Sequence, residues 1–514
     1  MNRNFGVIDL GSNTARLVVY EQDEQGLVTE VDNIKRGLRL SNHLQNGRMD
    51  DEGVAKTIHG MRQFKELLDA RNINDINDII AVATAAVRQA ENGHELTQRI
   101  NQETGIAVRV LSGEDEARYG YLAVINSMRI EEGITIDIGG GSTEVTYFRN
   151  SQLQESFSFP FGIVTLTQMF FQGDIPTETE FYQLRSFLSR SFSSCPWLMN
   201  KQCPVIAIGG TARNLAKIHQ RSVQYSMDSF HHYTMTGGQL TTILEQLSQL
   251  PLEARRQVPG ISKDRADVIL AGLTVFDTLL NYADSTELIV SSKGLRDGIL
   301  FETVWGTEAP TSIREIHERS ITQFMNRYQI DKAHAYQVKE HALSLFDQLK
   351  AHDLHKYGSF ERDLLEASAL LHDVGRTINV HESSEHTFYL LSHVLLAGYT
   401  HRERLLIAMI ASFKSNKLLQ SQLTKHADIV CKTDKNLVER LGHLLLLARM
   451  LDRSLSQAIH SIQLVKRNGH WVIECQGKRE CLLEYSLLDE PLTKLSKAWK
   501  LPITFLPVTD ADKS

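Results

Sequence analysis

Two stretches of the sequence share one pattern, 128 residues apart. The first is Val7-Ile8-Asp9-Leu10-Gly11-Ser12-Asn13-Thr14-Ala15-Arg16, and the second is Thr135-Ile136-Asp137-Ile138-Gly139-Gly140-Gly141-Ser142-Thr143-Glu144. Each predicts a strand, an Asp, a turn of small residues with a hydroxyl group, and a second strand. A match over all of these features indicates an internal duplication, with two lobes that face a cleft.

The segments around the first copy indicate an α/β fold. Residues 54–70 have helical apolar spacing after an acidic start at 50–52. Residues 79–84 form a continuous apolar run, which is typical of a strand covered on both faces, and residues 108–111 form another. A helix is predicted over 114–128, and this alternation favours helices packed on a central sheet.

The pattern changes near residue 310, where glycine becomes sparse. Helical spacing runs through 313–328, 335–349, 363–372, 405–413 and 437–455. Asn468-Gly469, between strand-like 462–465 and 471–475, predicts a β-hairpin. We therefore expect two α/β lobes at 1–124 and 125–308, an all-α domain at 309–458 and a small α+β domain at 459–514.

Composition limits the class of protein. The 514 residues are 42% hydrophobic and 23% charged, which indicates a globular chain of several domains and excludes a disordered or collagen-like one. No apolar run is long enough to span a membrane, so no membrane insertion is expected. The five cysteines form no CxxC pair and no signal peptide is recognised, so we expect free thiols and a cytoplasmic location.

Charge is unevenly distributed along the chain. Residues 1–308 contain 28 Lys and Arg against 38 Asp and Glu, whereas residues 401–467 contain 12 against 5. A basic segment on an acidic protein is a candidate surface for a polyanion, and the alternative is a solvated helical face. The lysines that we expect to bind such a polyanion are Lys414, Lys417, Lys432 and Lys435.

The two turns contain groups that are suited to phosphate and to a metal ion. Glycine and hydroxyl residues expose backbone N–H groups to phosphate oxygens, and Asp9 and Asp137 can hold Mg²⁺ through water. A third turn, Gly209-Gly210-Thr211, opens a helix whose N-terminus suits an anion. A tight turn or a bulge explains any one of these loops, but three in one α/β region favour a phosphate site.

Six ordered motifs resemble those of the exopolyphosphatase and guanosine pentaphosphate phosphohydrolase family. They are Asp9-Leu-Gly-Ser-Asn-Thr14, Val82-Ala-Thr-Ala-Ala-Val-Arg88, Ser112-Gly-Glu-Asp-Glu-Ala-Arg118, Asp137-Ile-Gly-Gly-Gly-Ser-Thr-Glu144, Gly209-Gly-Thr211 and Lys293-Gly-Leu-Arg-Asp-Gly298. The resemblance covers residues 1–308 and implies duplicated phosphate-binding lobes of the actin–hexokinase (ribonuclease H-like) type. The helical region resembles the HD-like domain of the longer members.

The family places its catalytic base in the Glu-Ala-Arg motif, which implies that Glu116 accepts a proton from the attacking water. Arg88 is the expected partner of the phosphate. The alternatives are a surface charge in the first turn of a helix for Glu116, with Glu114 as its nearest competitor, and an ordinary surface Arg88.

Phosphate and metal contacts are expected from all three turns. Glu144 stands where the first copy has Arg16, so the two could bind metal and phosphate respectively, or pair with each other. The expected phosphate contacts are Asn13, Thr14, Arg16, Gly139, Gly140, Gly141, Ser142, Thr143, Gly209, Gly210 and Thr211. The expected Mg²⁺ ligands are Asp9, Asp137 and Glu144.

Four residues of the helical region are similar to the HD phosphohydrolase pattern: His334, His372, Asp373 and Asp452. Histidines and carboxylates in this combination are credible metal ligands. In the resembled family this domain usually serves scaffold and binding roles, and its metal set is commonly degraded. We therefore expect the four residues to be bystanders in phosphate release.

These observations predict a hydrolase of phosphoanhydrides. We expect an exopolyphosphatase that uses Mg²⁺ to release orthophosphate from the end of inorganic polyphosphate. Within the family, the alternative is hydrolysis of guanosine pentaphosphate to the tetraphosphate. A nucleotide-dependent sensor or scaffold, or a sugar or acyl kinase, is an alternative of another class. No nucleic-acid partner is expected, and a homodimer is left open.

Overall fold

The computed structural model describes residues 2–306, 312–477 and 481–508. The chain forms two compact units, one of Met1–Tyr225 with Ser229–Ile316 and the other of Ser226–Asp228 with His317–Ser514. The predicted domain boundary at 308/309 lies outside the described residues. Among the helices of the described chain, none combines the length and the apolar character that crossing a membrane requires.

The first lobe of the first unit is a mixed sheet with helices. Its strands are β1 (Arg3–Leu10), β2 (Thr14–Gln22), β3 (Val28–Gly37), β4 (Leu44–Gln45), β5 (Arg48–Met49), β6 (Ile79–Ala83) and β7 (Val108–Val110). Its helices are α1 (Asp51–Ala70), α2 (Ala85–Gln89), α3 (Gly93–Thr104) and α4 (Gly113–Ile125). The sheet order is β3-β2-β1-β6-β7, and β4 pairs with β5 alone.

The second lobe repeats this architecture. Its strands are β8 (Glu132–Ile138), β9 (Thr143–Arg149), β10 (Gln152–Phe159), β11 (Val205–Ile208), β12 (Tyr233–Thr236) and β13 (Glu287–Val290). Its helices are α5 (Ile163–Phe170), α6 (Glu178–Phe192), α7 (Gly209–Ser222), α8 (Gly237–Ser248), α9 (Leu252–Gln257), α10 (Ile269–Tyr282) and α11 (Leu295–Trp305). The sheet order is β10-β9-β8-β11-β13-β12.

The predicted duplication is confirmed at the level of single hydrogen bonds. In the first lobe, β1 is antiparallel to β2 and parallel to β6. In the second lobe, β8 is antiparallel to β9 and parallel to β11 in the same way. The Gly11 N–H donates to the carbonyl of Thr14 at 3.1 Å, and the equivalent Gly139 N–H donates to Ser142 at 2.9 Å. The same backbone turn therefore follows the first strand of each lobe.

Helices α4 and α11 pack closely and share one apolar core. The residues of this core come from both lobes and include Val7, Leu122, Phe148 and Ile299. A Cβ built on Gly298 of α11 would lie 2.0 Å from the carbonyl oxygen of Tyr119 in α4. Only glycine allows this approach, and the predicted lobe boundary at 124/125 lies at the end of α4.

The second unit combines helices and a small sheet. Its helices are α12 (Ile313–Arg327), α13 (Lys332–Ala351), α14 (Ser359–Leu371), α15 (Ser383–His393), α16 (His401–Ala411), α17 (Asn416–Lys425), α18 (Asp434–Met450), α19 (Leu482–Ser486) and α20 (Asp489–Trp499). Its strands are β14 (Ile459–Arg467), β15 (His470–Gly477) and β16 (Ile503–Val508), in the order β14-β15-β16. The α12 helix begins at the end of the first unit.

The hairpin predicted at Asn468-Gly469 is present between β14 and β15. Both turn residues have positive φ, 49° at Asn468 and 83° at Gly469, as a two-residue hairpin turn requires. The pairing of Arg467 with His470 closes the ladder. The sequence did not predict α15 and α17.

We expect Gly298→Ala to lower the thermal midpoint of the protein. The added methyl group would overlap backbone atoms of α4, and overpacking of this kind costs about 1–3 kcal/mol. The control is Gly238→Ala in α8, where nothing lies within 4 Å of the added atom. Circular dichroism melts of both variants check the prediction, and equal midpoints would contradict it.

Candidate functional site

The turns of the two lobes face each other in the first unit. A Cβ built on Gly140 would lie 3.3 Å from the Ser12 side chain, so the second turn approaches the first through its glycine backbone. The Gln89 Nε2 amide donates to the Gly141 carbonyl at 3.4 Å. Asn13 contributes its own carbonyl, which accepts from the backbone of residues 38 and 39 and fixes the first turn.

A cavity of about 300 Å³ is lined by both turns. Its walls include Ser12, Asn13, Arg39, Gly139, Gly140 and Arg265. The cavity thus combines glycine backbone with two guanidinium groups. Guanidinium groups and backbone N–H groups are the donors that proteins use for phosphate oxygens.

The third predicted turn lies against the second Asp. Gly209, which begins α7, has φ of +90°, and a Cβ there would lie 2.6 Å from Asp137 Oδ1. A Cβ on the adjacent Gly210 would lie 2.2 Å from the Arg265 guanidinium carbon. Glycine at both positions lets the N-terminus of α7 meet a carboxylate and an arginine together.

Four carboxyl groups from both lobes surround the cleft, with Glu144 buried and Asp9, Glu116 and Asp137 partly buried. Burial raises the pKa of Asp9, and it raises the pKa of Asp137 to about 6. Burial also raises the pKa of Glu144, and the charges of Glu116 and Asp137 raise it further. Uncompensated carboxylates in such a site repel one another, so the cluster favours a cation or bound protons.

Glu116 lies on α4 beside Arg88. The Glu116 side chain is 10% exposed and accepts a hydrogen bond from the Arg88 guanidinium. Burial raises the pKa of Glu116 to about 7, and Arg88 acts in the opposite direction. Arg88 also donates to the Leu111 carbonyl at 2.8 Å, so it is held at the end of β7.

The local structure of α4 separates the three acidic residues at its start. Ser112 and Asp115 form a reciprocal capping box, and Glu114 is exposed. A Cβ on Gly113 would lie 2.3 Å from Ser158, whose hydroxyl donates to Glu144 Oε1 at 2.9 Å. Close packing at Gly113 thereby fixes the helix that positions Glu116.

Three arginines near the two Asp residues were not predicted. Arg213, Arg265 and Arg296 come from distant parts of the second lobe, and each of them lowers the pKa of Asp137 through its charge. Arg296 Nε lies 3.8 Å from Asp9 Oδ2. The predicted Arg16 stands opposite Asp9 in the β1–β2 ladder.

The arginines also crowd one another. Burial lowers the pKa of Arg213, and so do the charges of Arg265, Arg296 and Arg16. Burial and the charge of Arg296 likewise lower the pKa of Arg16. Unlike a surface arginine, each of these groups gains from a bound anion, because an anion offsets both the burial and the repulsion.

Three of the predicted phosphate contacts have side chains buried in the second lobe: Thr143, Thr211 and Ser142. Thr143 is fully buried, and its hydroxyl donates to the Phe161 carbonyl at 2.7 Å. The Thr211 side chain packs against Gly272 in α10 and is 1% exposed. Neither hydroxyl reaches the cleft, because both side chains belong to the core of the second lobe. Ser142 is also buried, and its hydroxyl is hydrogen-bonded to Glu144.

The acidic cluster fits a hydrated divalent cation. Among the described residues, the group of acidic and histidine side chains whose ligand atoms all lie within 4.8 Å of one another is found in the second unit and not in the cleft. The ligand atoms of Asp9, Asp137 and Glu144 lie farther apart than this, so a cation among them would be held in part through water. The sequence left open a pair between Glu144 and Arg16; instead, Glu144 is bound to Ser142 and Ser158.

The remaining predicted residues lie in the second unit. His334, His372, Asp373 and Asp452 come together, with His334 Nδ1 2.8 Å from Asp452 Oδ2. The four lysines lie near α17 and the start of α18. Lys414, Lys417 and Lys432 are exposed and Lys435 is half-buried.

Comparison with known proteins identifies the family. Residues 18–305 match the model of the Ppx/GppA phosphatase family, and residues 316–495 match the model described as Ppx/GppA phosphatase, domain III. The predicted HD-like character of the helical region stays a prediction. The first matched segment lies in the first unit, and nearly all of the second matched segment lies in the second unit.

Solved structures support the same assignment. The Ppx/GppA family member of Aquifex aeolicus is 31% identical, with 59% of this chain and 98% of that chain covered and a TM-score of 0.53. The exopolyphosphatase of Cytophaga hutchinsonii is 22% identical, with 60% and 99% covered and a TM-score of 0.55, and it shares the fold. The family match extends over more than half of the sequence, and the chain belongs to the Ppx/GppA phosphatase family.

Proposed function

We propose that the protein is an exopolyphosphatase that removes the terminal phosphoryl group of inorganic polyphosphate by hydrolysis. The observation that supports this most directly is the Glu116 carboxyl group, buried beside Arg88 with a pKa of about 7. A general base is most effective when its pKa lies near the working pH.

In the proposed reaction, Glu116 accepts a proton from water while the water oxygen attacks the terminal phosphorus. The anhydride P–O bond breaks, and its electron pair goes to the oxygen of the remaining chain. Orthophosphate and a chain one unit shorter are the products. Negative charge on the phosphoryl oxygens is offset by Arg88 and by backbone N–H groups of the glycine turns.

Mg²⁺ is the proposed cofactor, and Asp9, Asp137 and Glu144 would hold it, in part through water. When bound, the ion would supply positive charge to the phosphate oxygens. The raised pKa values of these three acids support the assignment, because a cation among them would favour the ionised forms.

The arginines around the cleft favour a substrate with several phosphates. Arg16, Arg213, Arg265 and Arg296 supply more positive charge than one phosphoryl group needs. Beyond arginine, the adjoining cavity is walled by aliphatic and small polar residues together with Asp264 and Asp267. The two carboxylates would repel phosphate, so the support for a phosphate chain comes from the arginines, and guanosine pentaphosphate is the competing substrate in the test.

We expect Glu116→Gln to reduce phosphate release by about 10²-fold or more, since the amide keeps the size of the side chain but cannot accept the proton. The matched control is Glu114→Gln, two residues away and exposed, which should retain activity. Release from polyphosphate, guanosine pentaphosphate and ATP is measured side by side, with Mg²⁺ and with chelator.

This panel distinguishes the alternatives. Preference for guanosine pentaphosphate would replace the proposed substrate, and full activity in chelator would remove the proposed cofactor. Near-normal turnover by Glu116→Gln together with loss in Glu114→Gln would move the role of base to Glu114.

The pH profile should depend on Arg88. Because Glu116 must be ionised to accept a proton, kcat/KM should rise with pH through about 7 and level off above it. Arg88→Ala removes a hydrogen bond and a charge that lower the pKa of Glu116, so the rising limb should move to higher pH. The control is Arg99→Ala, which changes an exposed side chain of α3. An unchanged position of the rising limb of kcat/KM in Arg88→Ala would contradict the assignment.

We further propose that Lys414, Lys417, Lys432 and Lys435 bind the distal part of a long polyphosphate chain. Polyphosphate has about one negative charge per unit, and release of counterions makes its binding depend on salt, by analogy with nucleic acid. Three of the four lysines are exposed, and all four lie near α17 and the start of α18, which supports this role.

Changing these four lysines together to Gln should reduce the salt dependence of KM for long chains and leave short chains unaffected. The control changes four exposed lysines outside the basic segment, Lys356, Lys494, Lys497 and Lys500, to Gln. Equal effects of the two variants on long chains would show that the basic segment only solvates a helical face.

A further inference from the structure

A series of hydrogen bonds joins strand β7, helix α4 and helix α11 in the first unit. Arg109 on β7 donates from Nη2 to the Tyr119 hydroxyl at 2.7 Å. The Tyr119 hydroxyl donates to Glu302 Oε2 at 2.7 Å, and Arg118 Nη2 donates to Glu302 Oε1 at 2.6 Å. Both oxygens of one carboxylate on α11 therefore accept from neighbouring side chains of α4.

The chemistry of these groups fixes the direction of each hydrogen bond. A guanidinium can only donate, so the Tyr119 oxygen accepts from Arg109. A carboxylate can only accept, so the single proton of the Tyr119 hydroxyl points to Glu302. Tyr119 is 2% exposed, and the Arg118 guanidinium carbon lies 4.7 Å from the centroid of its ring. Any other orientation of the ring would break these contacts.

Strand β7 also holds Arg88. Two residues beyond Arg109, the Leu111 carbonyl accepts from Arg88 Nη1 at 2.8 Å. The Leu111 N–H donates to the Ala83 carbonyl at the end of β6 at 2.9 Å, so this part of the backbone is fixed by the sheet. The same segment of chain thus binds Arg88 through a carbonyl and α4 through the Arg109 side chain.

The candidate base lies between these two attachments. Glu116 is three residues before Tyr119 on α4 and accepts a hydrogen bond from the Arg88 guanidinium. Residues three apart on a helix are neighbours on its surface. The position of Glu116 relative to Arg88 therefore depends on how α4 is held against β7, and the hydrogen bond of Arg109 to Tyr119 is one of the contacts that holds it.

Helix α11 connects the same network to the second lobe. Six residues before Glu302 on α11, Arg296 Nε lies 3.8 Å from Asp9 Oδ2. The close approach of α11 to α4 is possible because a Cβ on Gly298 would lie 2.0 Å from the Tyr119 carbonyl oxygen. Glu302 thus joins the helix that contains the candidate base to the helix that contains an arginine of the cleft.

We propose that Tyr119 and Glu302 are positioning residues that hold Glu116 in place beside Arg88 and the attacking water. The inference rests on the role of Glu116 as base in the proposed function. A displacement of about 1 Å at a reacting group can cost about 10²-fold in rate. Because other residues bind the phosphates, loss of the positioning contacts should lower kcat and leave KM unchanged.

The test is the kinetics of Tyr119→Phe in the full chain, with whichever substrate of the panel is hydrolysed fastest. This variant removes one hydroxyl group and keeps the ring. We expect kcat to fall by about 10-fold while KM stays within about twofold of its value in the unchanged protein.

The matched control is Tyr147→Phe. Tyr147 is 7% exposed, and its hydroxyl donates to Glu132 Oε1 at 2.6 Å. Glu132 begins β8, at the opposite end of that strand from Asp137. Removal of this second tyrosine–glutamate hydrogen bond should lower the thermal midpoint much as Tyr119→Phe does, but it should leave kcat unchanged.

Variants of Glu302 separate the hydrogen bonds from the packing of the helices. Glu302→Ala removes both acceptor oxygens and should lower kcat at least as much as Tyr119→Phe. Glu302→Gln keeps one acceptor oxygen and should restore part of the loss. Circular dichroism confirms folding of each variant.

A double variant tests whether Tyr119 acts through the base. Tyr119→Phe combined with Glu116→Gln should be no slower than Glu116→Gln alone, because residues that act as one unit have effects that are not additive. Losses of kcat that multiply in the double variant would show that Tyr119 does not act through Glu116.

Unchanged kcat in folded Tyr119→Phe would overturn the proposal, and so would an equal loss of kcat in Tyr147→Phe. A raised KM with unchanged kcat would assign Tyr119 to substrate binding instead. If Glu302→Ala does not fold, Tyr119→Phe and Glu302→Gln decide. Full turnover by Glu116→Gln would overturn the proposed function and the positioning role together, so the two failures are distinguishable.

Discussion

Asp9 and Asp137 impose the constraint on which the first unit depends, because both are partly buried carboxylates at the carboxyl end of a first strand. A buried charge requires paired charges or hydrogen bonds, and its neighbours must therefore be arranged around it. Arginines from the second lobe approach both residues, and α7 approaches Asp137 through a glycine. The duplication places one such carboxylate in each lobe, so the cleft between the lobes collects both.

Much of this arrangement could be predicted from sequence, because its signals are local. The glycine turns, the strand that precedes each Asp and the helix that follows Gly209 are all encoded within about ten residues. The turn hydrogen bonds of Gly11 and Gly139 are 128 residues apart, which is the offset between the two copies of the sequence pattern. The motifs that contain Arg88 and Glu116 also proved to be spatial neighbours. The catalytic role of Glu116, however, was implied by the family resemblance and stays a prediction.

The rest could not be predicted because it depends on contacts between distant segments. Arg213 and Arg265 stand outside the six motifs and Arg296 inside one of them, but only the fold brings all three to the two Asp residues. Thr143 belongs to a motif that suggests phosphate, yet its side chain points into the core, which strand alternation alone does not reveal. The contact of Asp452 with Nδ1 of His334, 118 residues away in sequence, likewise depends on the fold.

The charged groups around the cleft have pKa values shifted in two opposite directions. The pKa values of Glu116 and Glu144 are raised, whereas those of Arg16, Arg213 and Arg265 are lowered. Each shift means that the charged form lacks part of the stabilisation that water would give. A phosphate chain beside the arginines and a cation beside the carboxylates would offset both kinds of shift together. Binding of the anion and of the cation should therefore be mutually favourable.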